Sequence, residues 1–317
     1  MSLYWSSGHE EHALDLISSY GAPGRRVYVD GVNGSDGNAG NRANNAFRTM
    51  AAGYAQLRAN RNDILYVIGG ASAYAMTAIT TWSKDYCHII GLAAPINTGG
   101  RVRFTNTVTT ATTGEFVISA TGCIFQNLHI QYGDSATGTS VIGTSITGGR
   151  NYFKNCSFEG PIDATIGAAA YRVVNVGTGV QDLTFDDCHF GERTIQCTGA
   201  TGAIVHFAGA NNTNFVFNRC IFNAYNTNTA SATISFVNNA MPDSGWCLFR
   251  KCSFINFANV NVADVIRFAT GEHGIVTLDQ CSLSGLGTLV WATNRKSTIF
   301  STGAAGSATG GVGANPA

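Results

Sequence analysis

Short apolar runs alternate with segments rich in Gly, Asn and Thr along most of this 317-residue chain. One pattern of apolar and polar positions, Phe-x-x-Cys-x-Phe, recurs, and each copy begins 32 residues after the one before it. The four full copies occupy residues 153–158, 185–190, 217–222 and 249–254. Weaker copies begin at Phe125 and Leu278, 28 residues upstream and 29 residues downstream of this set. A fixed period of this kind predicts one structural unit stacked on copies of itself.

The residues between the copies predict strands rather than helices. A second short apolar run, rich in residues that favour strands, lies in each interval, with turn-forming Gly and Asn around it. These runs are residues 172–176, 204–207, 234–237 and 265–268. Each unit then holds two or three strands, and each strand pairs with its equivalent in the next unit. The pattern therefore predicts an all-β solenoid, a parallel β-helix whose coils lie about 4.8 Å apart.

The repeated phrase also predicts which side chains face the interior. In Cys-x-Phe the two apolar side chains point inward, and the variable residue between them, such as Ser157 or His189, points outward. The three-residue step from Phe to Cys breaks strict alternation, so we predict a bend between two strands and interior ladders of Phe and of Cys. The residues expected near this corner are Asn155, Asp187, Arg219, Lys251 and Gln280.

Residues 27–70 predict a cap module that leads into the β-helix. Segments 27–30 and 63–68 have the composition of strands, and segment 46–58 between them has helical spacing. An open solenoid end exposes its core and an unpaired strand edge, so an amphipathic helix is the natural N-terminal cap. The apolar residues expected on one face of this helix are Phe47, Met50, Tyr54 and Leu57.

Two terminal segments are predicted to lie outside the coils, which we place at residues 71–300. Residues 1–26 form an N-terminal arm, and the low-complexity Gly/Ala-rich tail 301–317 should be flexible when alone. We expect these extended arms to dock on sister chains or on other proteins of an assembly. Tyr4 and Trp5 are the expected binding anchors of the first arm.

Composition narrows the class of partner. Net charge is zero and only 12% of residues are charged, so no basic stripe indicates nucleic acid. No apolar run approaches the length of a membrane span, and no export signal is recognisable at the start of the sequence. A surface with so little charge suits a chain whose faces are covered in an assembly.

The nine cysteines predict buried thiols rather than disulfides. Equivalent inward side chains of parallel strands lie side by side, which is poor geometry for a disulfide, so the ladder cysteines should pack as small apolar groups. This usage favours folding in a reducing cytoplasm. The ladder positions are Cys156, Cys188, Cys220, Cys252 and Cys281.

One acidic cluster is the candidate for catalysis. A glycosidase needs two carboxylates about 5–10 Å apart in a groove, and Asp186 with Glu192 is the catalytic pair that this sequence could supply. The alternative is that Asp186 and Asp187 are corner residues, and that His189 stands singly on an outer strand face. The adjacent coils carry Lys154 and Asn218 at the position of Asp186 and add no carboxylate. We favour the alternative and expect no catalytic site.

No motif predicts a metal or a cofactor. His9-Glu-Glu-His12 has the wrong spacing for a His-Glu-x-x-His zinc site. The Gly-rich loop 31–40 lacks the Lys-Ser/Thr of a phosphate-binding loop and the spacing of an EF-hand. We interpret this loop as a turn that enters the capping helix.

The sequence resembles a known fold family. Val-Tyr-Val-Asp-Gly-x-x-Gly-Ser-Asp-Gly at 27–37, Ala-Phe-Arg-Thr-Met at 46–50 and Asp-Ile-Leu-Tyr-Val at 63–67 resemble the start of right-handed, pectin-lyase-like β-helix proteins. The resemblance covers about residues 27–300. It implies a single-stranded right-handed parallel β-helix, and the family's calcium-binding Asp set and catalytic Arg have no clear match here. The Ala, Gly, Thr and Asn content resembles virion proteins of tailed bacteriophages in this family, which are typically trimeric.

Three functional hypotheses follow from this resemblance. The leading one is a non-enzymatic structural protein of a phage virion, most plausibly a homotrimeric capsid decoration protein that binds the major capsid protein or other virion proteins. The second is a tailspike or fibre protein that binds host glycans, or depolymerises them as a polysaccharide lyase or glycosidase through Asp186 and Glu192. The third is a bacterial surface adhesin or secreted lyase.

Overall fold

The computed structural model shows a solenoid of three parallel β-sheets, which we name A, B and C. The chain visits a strand of A, then one of B, then one of C, before the next coil begins. Strands are numbered β1 to β26 along the chain. The structure describes residues 24–76, 79–96, 102–106, 114–132, 142–160, 171–196, 202–225, 231–237, 240–242, 244–257, 262–269, 274–288 and 298–302.

Sheet A has ten strands in the order in which the coils follow one another. It contains the first half of the repeated phrase, so Phe153 pairs with Phe185 and Phe185 pairs with Phe217. Its strands are β1 (Arg26–Asp30), β2 (Ile64–Ile68), β5 (His88–Leu92), β8 (Ile124–Gln126), β11 (Tyr152–Lys154), β14 (Gln181–Asp186), β17 (Thr213–Asn218), β20 (Trp246–Arg250), β23 (Ile275–Asp279) and β26 (Thr298–Thr302).

Sheet B has eight strands and contains the second half of the phrase, so Phe158 pairs with Phe190 and Phe190 pairs with Phe222. Its strands are β3 (Tyr74–Met76), β6 (Arg103–Asn106), β9 (His129–Gln131), β12 (Ser157–Glu159), β15 (His189–Gly191), β18 (Ile221–Ala224), β21 (Ser253–Asn256) and β24 (Ser282–Ser284).

Sheet C also has eight strands and contains the apolar runs that lie between the phrases. Its strands are β4 (Thr80–Trp82), β7 (Phe116–Ile118), β10 (Ile142–Ile146), β13 (Arg172–Val176), β16 (Ala203–Phe207), β19 (Ala232–Phe236), β22 (Val262–Phe268) and β25 (Leu286–Thr288). The predicted run 172–176 coincides with β13, and the other three runs fall within one residue of a strand of this sheet.

Stacked aromatic rings fill the interior. In sheet A the ring of Phe185 lies 4.6 Å from that of Phe153 and 4.8 Å from that of Phe217, with planes within 9° of parallel. A second ladder runs along sheet B from Phe158 to Phe254, and a third joins Phe207, Phe236 and Phe268 in sheet C. Rings of one ladder meet rings of the next edge to face, which aromatic quadrupoles favour. The predicted interior Phe ladder is confirmed.

The corner between sheets A and B has a left-handed backbone in every repeat. The φ angle there lies between +48° and +55° at Asn127, Asn155, Asp187, Arg219, Lys251 and Gln280. Asn and Asp tolerate this conformation, but for Arg, Lys and Gln it is uncommon. Each coil secures the corner of its neighbour, since the N–H of Asn155 donates to the carbonyl of Asp186 at 2.9 Å and that of Arg219 to Arg250 at 2.8 Å. The predicted bend is confirmed.

The cysteine ladder packs beside the phenylalanines. All eight cysteines in the described part of the chain are free thiols. The Cys188 thiol donates to the carbonyl of Phe153, one coil back, at 3.5 Å, and Cys220 repeats this contact with Phe185 at 3.4 Å. Burial raises the pKa of the Cys156, Cys188 and Cys220 thiols well above the usual value, so they stay protonated. Four of the five predicted ladder cysteines are buried thiols, and the fifth, Cys281, is partly buried.

The N-terminal cap is present, but its helix is shorter than the apolar spacing predicts. Helix α1 spans Met50–Ala55 and follows a 3₁₀ turn at Ala43–Asn45. Phe47 is extended instead and forms a bridge with Val29, so it covers the outer edge of β1. The helix begins after Thr49, whose hydroxyl accepts the Ala52 N–H at 3.1 Å. Phe47 and Leu57 are buried as predicted, although neither is helical.

Buried His88 in β5 makes stability depend on pH. Its Nδ1 accepts the Ile124 N–H at 3.1 Å, and burial lowers its pKa from 6.5 to about 4. In the unfolded chain His88 takes up a proton near pH 6.5, but in the folded chain it does so only near pH 4. The free energy of unfolding must therefore fall as pH is lowered through this range. We expect His88 to contribute a loss of about 2 kcal/mol in the free energy of unfolding between pH 7 and pH 5.

Urea denaturation of the wild type and of His88→Asn at both pH values measures this contribution. The variant should be less stable at pH 7 but should lose less stability than the wild type on moving to pH 5. An equal loss in the two proteins would show that His88 is not the group that takes up the proton.

Candidate functional site

The outward face of sheet B holds a row of buried polar side chains. Phe158 and Phe190 point into the core, so their neighbours on the same strands point outward, as the phrase predicts. His129, Ser157 and His189 are paired across β9, β12 and β15. They are not exposed, however, because their exposed fractions are 3%, 1% and 0%. The expected solvent-facing surface is instead part of the protein interior.

Glu159 connects this row. Its Oε2 lies 2.9 Å from His129 Nε2, and its Oε1 accepts the Ser157 hydroxyl at 3.0 Å. The same Oε1 lies 3.4 Å from His189 Nδ1, which also contacts Ser157 Oγ at 3.1 Å. On the next strand, Asn223 Nδ2 lies 2.6 Å from His189 Nε2. These five residues, His129, Ser157, Glu159, His189 and Asn223, are called the His–Glu network below.

The network keeps its carboxylate ionised. Burial alone would raise the pKa of Glu159, but the hydrogen bonds and charges of His129 and His189 outweigh it and hold the pKa well below its usual range. Arg193 adds a more distant positive charge, with its Nη2 3.9 Å from Glu159 Oε1. A buried carboxylate is tolerated here because both of its oxygens have hydrogen-bond partners.

The chemistry open to this network is limited by burial. A hydroxyl beside an imidazole and a carboxylate is the set that serine hydrolases use. Here, however, the Ser157 hydroxyl donates to Glu159 and is buried together with it, so no nucleophile is presented to solvent. The geometry suits a polar connection that ties β9, β12, β15 and β18 together across four coils.

Sheet C carries a second polar feature, a group of nearby basic side chains on three strands, which we call the basic row. Arg267 Nε donates to Asp264 Oδ2 at 2.8 Å, and Arg172 donates to the carbonyl of Tyr171 at 2.8 Å. Burial, together with the nearby Arg172 charge, lowers the pKa of His206 to about 3, so His206 is neutral at pH 7. Burial also lowers the pKa of Arg172, and the nearby Arg267 charge contributes to this lowering. These partly exposed cations could attract an anionic group.

The two carboxylates of the candidate catalytic pair lie on different parts of the coil. Asp186 ends β14 in sheet A and is fully buried. It accepts hydrogen bonds from the Tyr152 hydroxyl at 3.1 Å and from Asn218 Nδ2 at 2.9 Å, and it forms an ion pair with Arg219. Asp187 occupies the corner and also pairs with Arg219, at 2.7 Å. Asp186 and Asp187 therefore have the structural partners that a corner requires.

Glu192 follows β15, on the far side of sheet B from Asp186. One carboxylate oxygen accepts the backbone N–H groups of Arg193 at 2.8 Å and Ile195 at 3.1 Å, as well as the N–H and hydroxyl of Thr194. This oxygen thus closes a tight turn. The structure does not bring Glu192 into the same set of contacts as Asp186, and the catalytic role of the pair stays a prediction.

Other predicted sites have separate outcomes. Tyr4 and Trp5, like the His9–His12 pair, lie outside the described residues. The Gly-rich loop is a turn before the helix, because Asp36 accepts the N–H groups of Arg48 at 2.9 Å and Thr49 at 2.8 Å.

Within the described ranges, no three His, Cys, Asp or Glu side chains come together as metal ligands would. No helix there has the length and apolar character needed to cross a membrane.

The sequence analysis missed Glu159 and His129. Both were detectable in principle, because the weak copy at Phe125 places His129 in the same outward column as Ser157 and His189. Glu159 stands two residues after Ser157 and so on the same face. We expected the adjacent coils to add no carboxylate. One of them does add Glu159, but on sheet B and not beside Asp186.

Comparisons with known proteins support the fold. No family model matches the chain, and no curated protein matches it. A pectin methylesterase mutant in complex with a hexasaccharide is similar over 89% of this chain and 91% of its own, with 15% identity and a TM-score of 0.59. A pectate lyase is similar over 89% and 78%, with 12% identity and a TM-score of 0.57. A protein of Geobacillus virus E2 is similar over 93% and 64%, with 13% identity and a TM-score of 0.48.

The first two likenesses, together with the strand pairing, establish the fold. The chain is a right-handed parallel β-helix of the pectin-lyase-like type, as the sequence resemblance implies. Sequence identities this low do not show that two proteins share an activity, because catalytic and non-catalytic proteins share folds.

Proposed function

We propose that this chain is a non-enzymatic structural protein of a bacteriophage virion, a homotrimeric decoration protein on the exterior of the capsid. In this proposal its partners are sister chains and the major capsid protein. The fold provides a rigid rod, and its outer faces provide contacts.

The observation that carries the non-enzymatic part is the state of the carboxylates. Asp186, Glu192 and Glu159 are each buried and each hydrogen-bonded by groups of the same chain. A glycosidase or lyase needs carboxylates or a base that a substrate can reach. These three side chains serve a corner, a turn and an inter-coil network instead.

Composition supports the assembly part. Only 12% of the residues are charged and the net charge is zero, which is low for a protein that must stay soluble as a free monomer. Free buried thiols in the described part of the chain fit folding in a reducing cytoplasm, where virions assemble.

Quantitative mass spectrometry of purified virions encoded by the same genome tests this proposal. We expect the copy number to equal that of the major shell subunit or a simple fraction of it, because a decoration protein follows the capsid lattice. Absence from the particle would overturn the structural role.

The basic row on sheet C favours one alternative, a spike or fibre protein that binds an anionic host polysaccharide. Its support is the group of cationic side chains Arg172 and Arg267 on a fold shared with a pectin methylesterase seen with a hexasaccharide. A few copies per particle would favour this alternative. Release of reducing ends from host polysaccharide, lost in an Asp186→Asn variant that keeps the wild-type circular dichroism and melting temperature, would then establish depolymerase activity.

A further inference from the structure

An apolar patch lies on the outer face of sheet A where the solenoid begins. In β1, β2 and β5 the alternate residues Val29, Leu65 and Ile89 are fully buried, so the residues between them point outward. Each of the three strands contributes apolar or aromatic side chains to this outward set. We call the set the N-terminal apolar patch, and it comprises Tyr28, Val32, Tyr66, Ile68, Ile90 and Leu92.

The patch is continuous across the three strands. The rings of Tyr28 and Tyr66 stack with their centroids 5.1 Å apart. Tyr66 pairs with Ile90 on the next strand, and Ile68 pairs in the same way with Leu92. These side chains therefore form one surface and are not scattered singly.

The edge of the patch is open to solvent and contains a hollow. Val32 is 59% exposed and Leu92 is 40% exposed. Val32, Ile68 and Tyr74 line a small hollow at this edge. Single exposed apolar residues need no partner, but a group of them around a hollow is typical of a contact site that receives an apolar anchor.

The segment that precedes β1 has the apolar pattern of a docking helix. Four of its apolar residues recur at intervals of three and four, which places them on one face of a two-turn helix. Gly21 follows as a typical helix stop. A helix this short is marginal in water and needs a surface to pack against. The apolar face comprises Ala13, Leu16, Ile17 and Tyr20, and the opposite face comprises Asp15, Ser18 and Ser19.

The connection to β1 is long enough to place this segment on the patch. The Ile64 N–H donates to the carbonyl of Arg25 at 2.8 Å, which fixes where the segment arrives. Tyr66 lies two residues further along β2, about 7 Å away. Five residue steps separate Tyr20 from Arg25 and span up to about 17 Å, so Tyr20 can reach Tyr66. The two helical turns, about 10 Å long, can then continue towards Leu92.

The charges of the two partners are complementary. Residues 1–23 contain three acidic side chains and no Lys or Arg. Arg25 and Arg26 are exposed where β1 begins, at the side of the patch where the segment arrives. Opposite charges at the rim of an apolar contact favour one orientation of the bound segment.

We propose that residues 13–20 of this chain dock as a short helix on the N-terminal apolar patch of the same molecule. The tether to β1 raises the local concentration of this segment above that of a free partner. Docking fixes the root of the N-terminal arm to the solenoid. Tyr4 and Trp5, the expected anchors of the arm, then project from a defined point towards a partner. The inference does not depend on the virion role.

Hydrogen–deuterium exchange of the full chain, read by mass spectrometry, tests this docking. The amides of residues 13–20 should exchange at least about tenfold more slowly than those of an unstructured chain. Leu92→Asp, which places a carboxylate in the patch, should abolish this protection. Ile275→Asp is the matched control, because Ile275 is also 40% exposed on sheet A but lies at the other end of the solenoid. Unprotected residues 13–20 in the wild type, or equal effects of the two variants, would overturn the proposal.

A substitution in the arm supplies the reciprocal measurement without altering the coils. Ile17→Asp should release the segment and raise the oxidation of the Tyr28 and Tyr66 rings by hydroxyl radicals. Ser18→Asp, on the opposite face of the segment, should leave this oxidation at the wild-type level. An Ile17→Asp variant that oxidises like the wild type would contradict the assigned contact.

A mixed sample distinguishes docking within one molecule from docking on a second copy. In a refolded mixture of wild-type chains and isotope-labelled Leu92→Asp chains, only the wild-type arms should be protected from exchange. Equal protection of the two arms would assign the patch to a second copy and overturn the proposal. Absence of the chain from virions, with this protection intact, would overturn the virion role alone.

Discussion

Phe185→Ala is expected to lower the free energy of unfolding by about 4 kcal/mol, the middle of the range for deleting a buried Phe side chain. Phe185 is fully buried in the central coils. Its ring stacks on Phe153 and Phe217 and meets Phe158 and Phe190 edge to face. The neighbouring rings belong to a rigid strand ladder and cannot collapse into the space, so the cavity remains.

Urea or thermal denaturation followed by circular dichroism measures this loss. Each coil of a solenoid contacts mainly its neighbours, so the weakened central coil should also broaden the transition as the two halves uncouple. Phe257→Ala removes the same side chain from a surface site that is 52% exposed, and it should change stability by less than about 0.5 kcal/mol. Equal losses in the two variants would show that the stacked ladder adds nothing beyond ordinary surface contact.

Glu159→Ala is expected to lower the free energy of unfolding by about 3 kcal/mol at pH 7. Removing the carboxylate takes a hydrogen-bond partner from His129 and His189 and leaves the Ser157 hydroxyl without its acceptor. The groups that remain are buried, and a buried polar group without a partner costs its full desolvation energy. The depressed pKa of Glu159 means that the ionised form is the one that stabilises the fold.

Two matched variants identify the source of this loss. Glu159→Gln keeps an acceptor oxygen and should lose less stability than Glu159→Ala. Asp182→Asn removes the charge of a surface carboxylate that is 44% exposed, keeps a residue type that tolerates the left-handed backbone there, and should be close to neutral. Since the folded-state pKa of Glu159 is depressed, its contribution is present above about pH 4.3 and disappears as pH falls below that value. A wild-type advantage over Glu159→Ala that persisted unchanged at pH 2 would exclude the charge as its cause.

The Phe–Cys–Phe phrase was sufficient to predict the coil, its inward ladders and its corner. Phe153, Phe185 and Phe217 recur at one interval, and only stacking of equivalent strands buries all of them together. The corner was predictable because the three-residue step cannot continue a strand whose side chains alternate with a period of two. Asn155 and Asp187 at that step are also residues that tolerate a left-handed backbone.

The cap and the His–Glu network were predictable only in part. The spacing of Phe47, Met50, Tyr54 and Leu57 matches a helix, but the edge of β1 captures Phe47 in an extended bridge, so the helix starts only after it. The network joins Glu159 to residues 30 positions away on either side, His129 and His189. Loop lengths differ between coils, so this register emerges only when the strands are paired.

The sequence by itself determined the solenoid, because a repeated apolar phrase with a side-chain period of two leaves stacked parallel strands as the arrangement that buries it. It also determined that Cys156, Cys188, Cys220 and Cys252 would be interior thiols. Only the tertiary structure decided which outward faces are covered and which stay open. Exposure of an outward residue depends on the side chains that other coils bring beside it: Ser157 and His189 are buried together with Glu159 and Asn223 on sheet B, whereas Leu248 remains partly exposed on sheet A. Local sequence contains no record of those distant contacts.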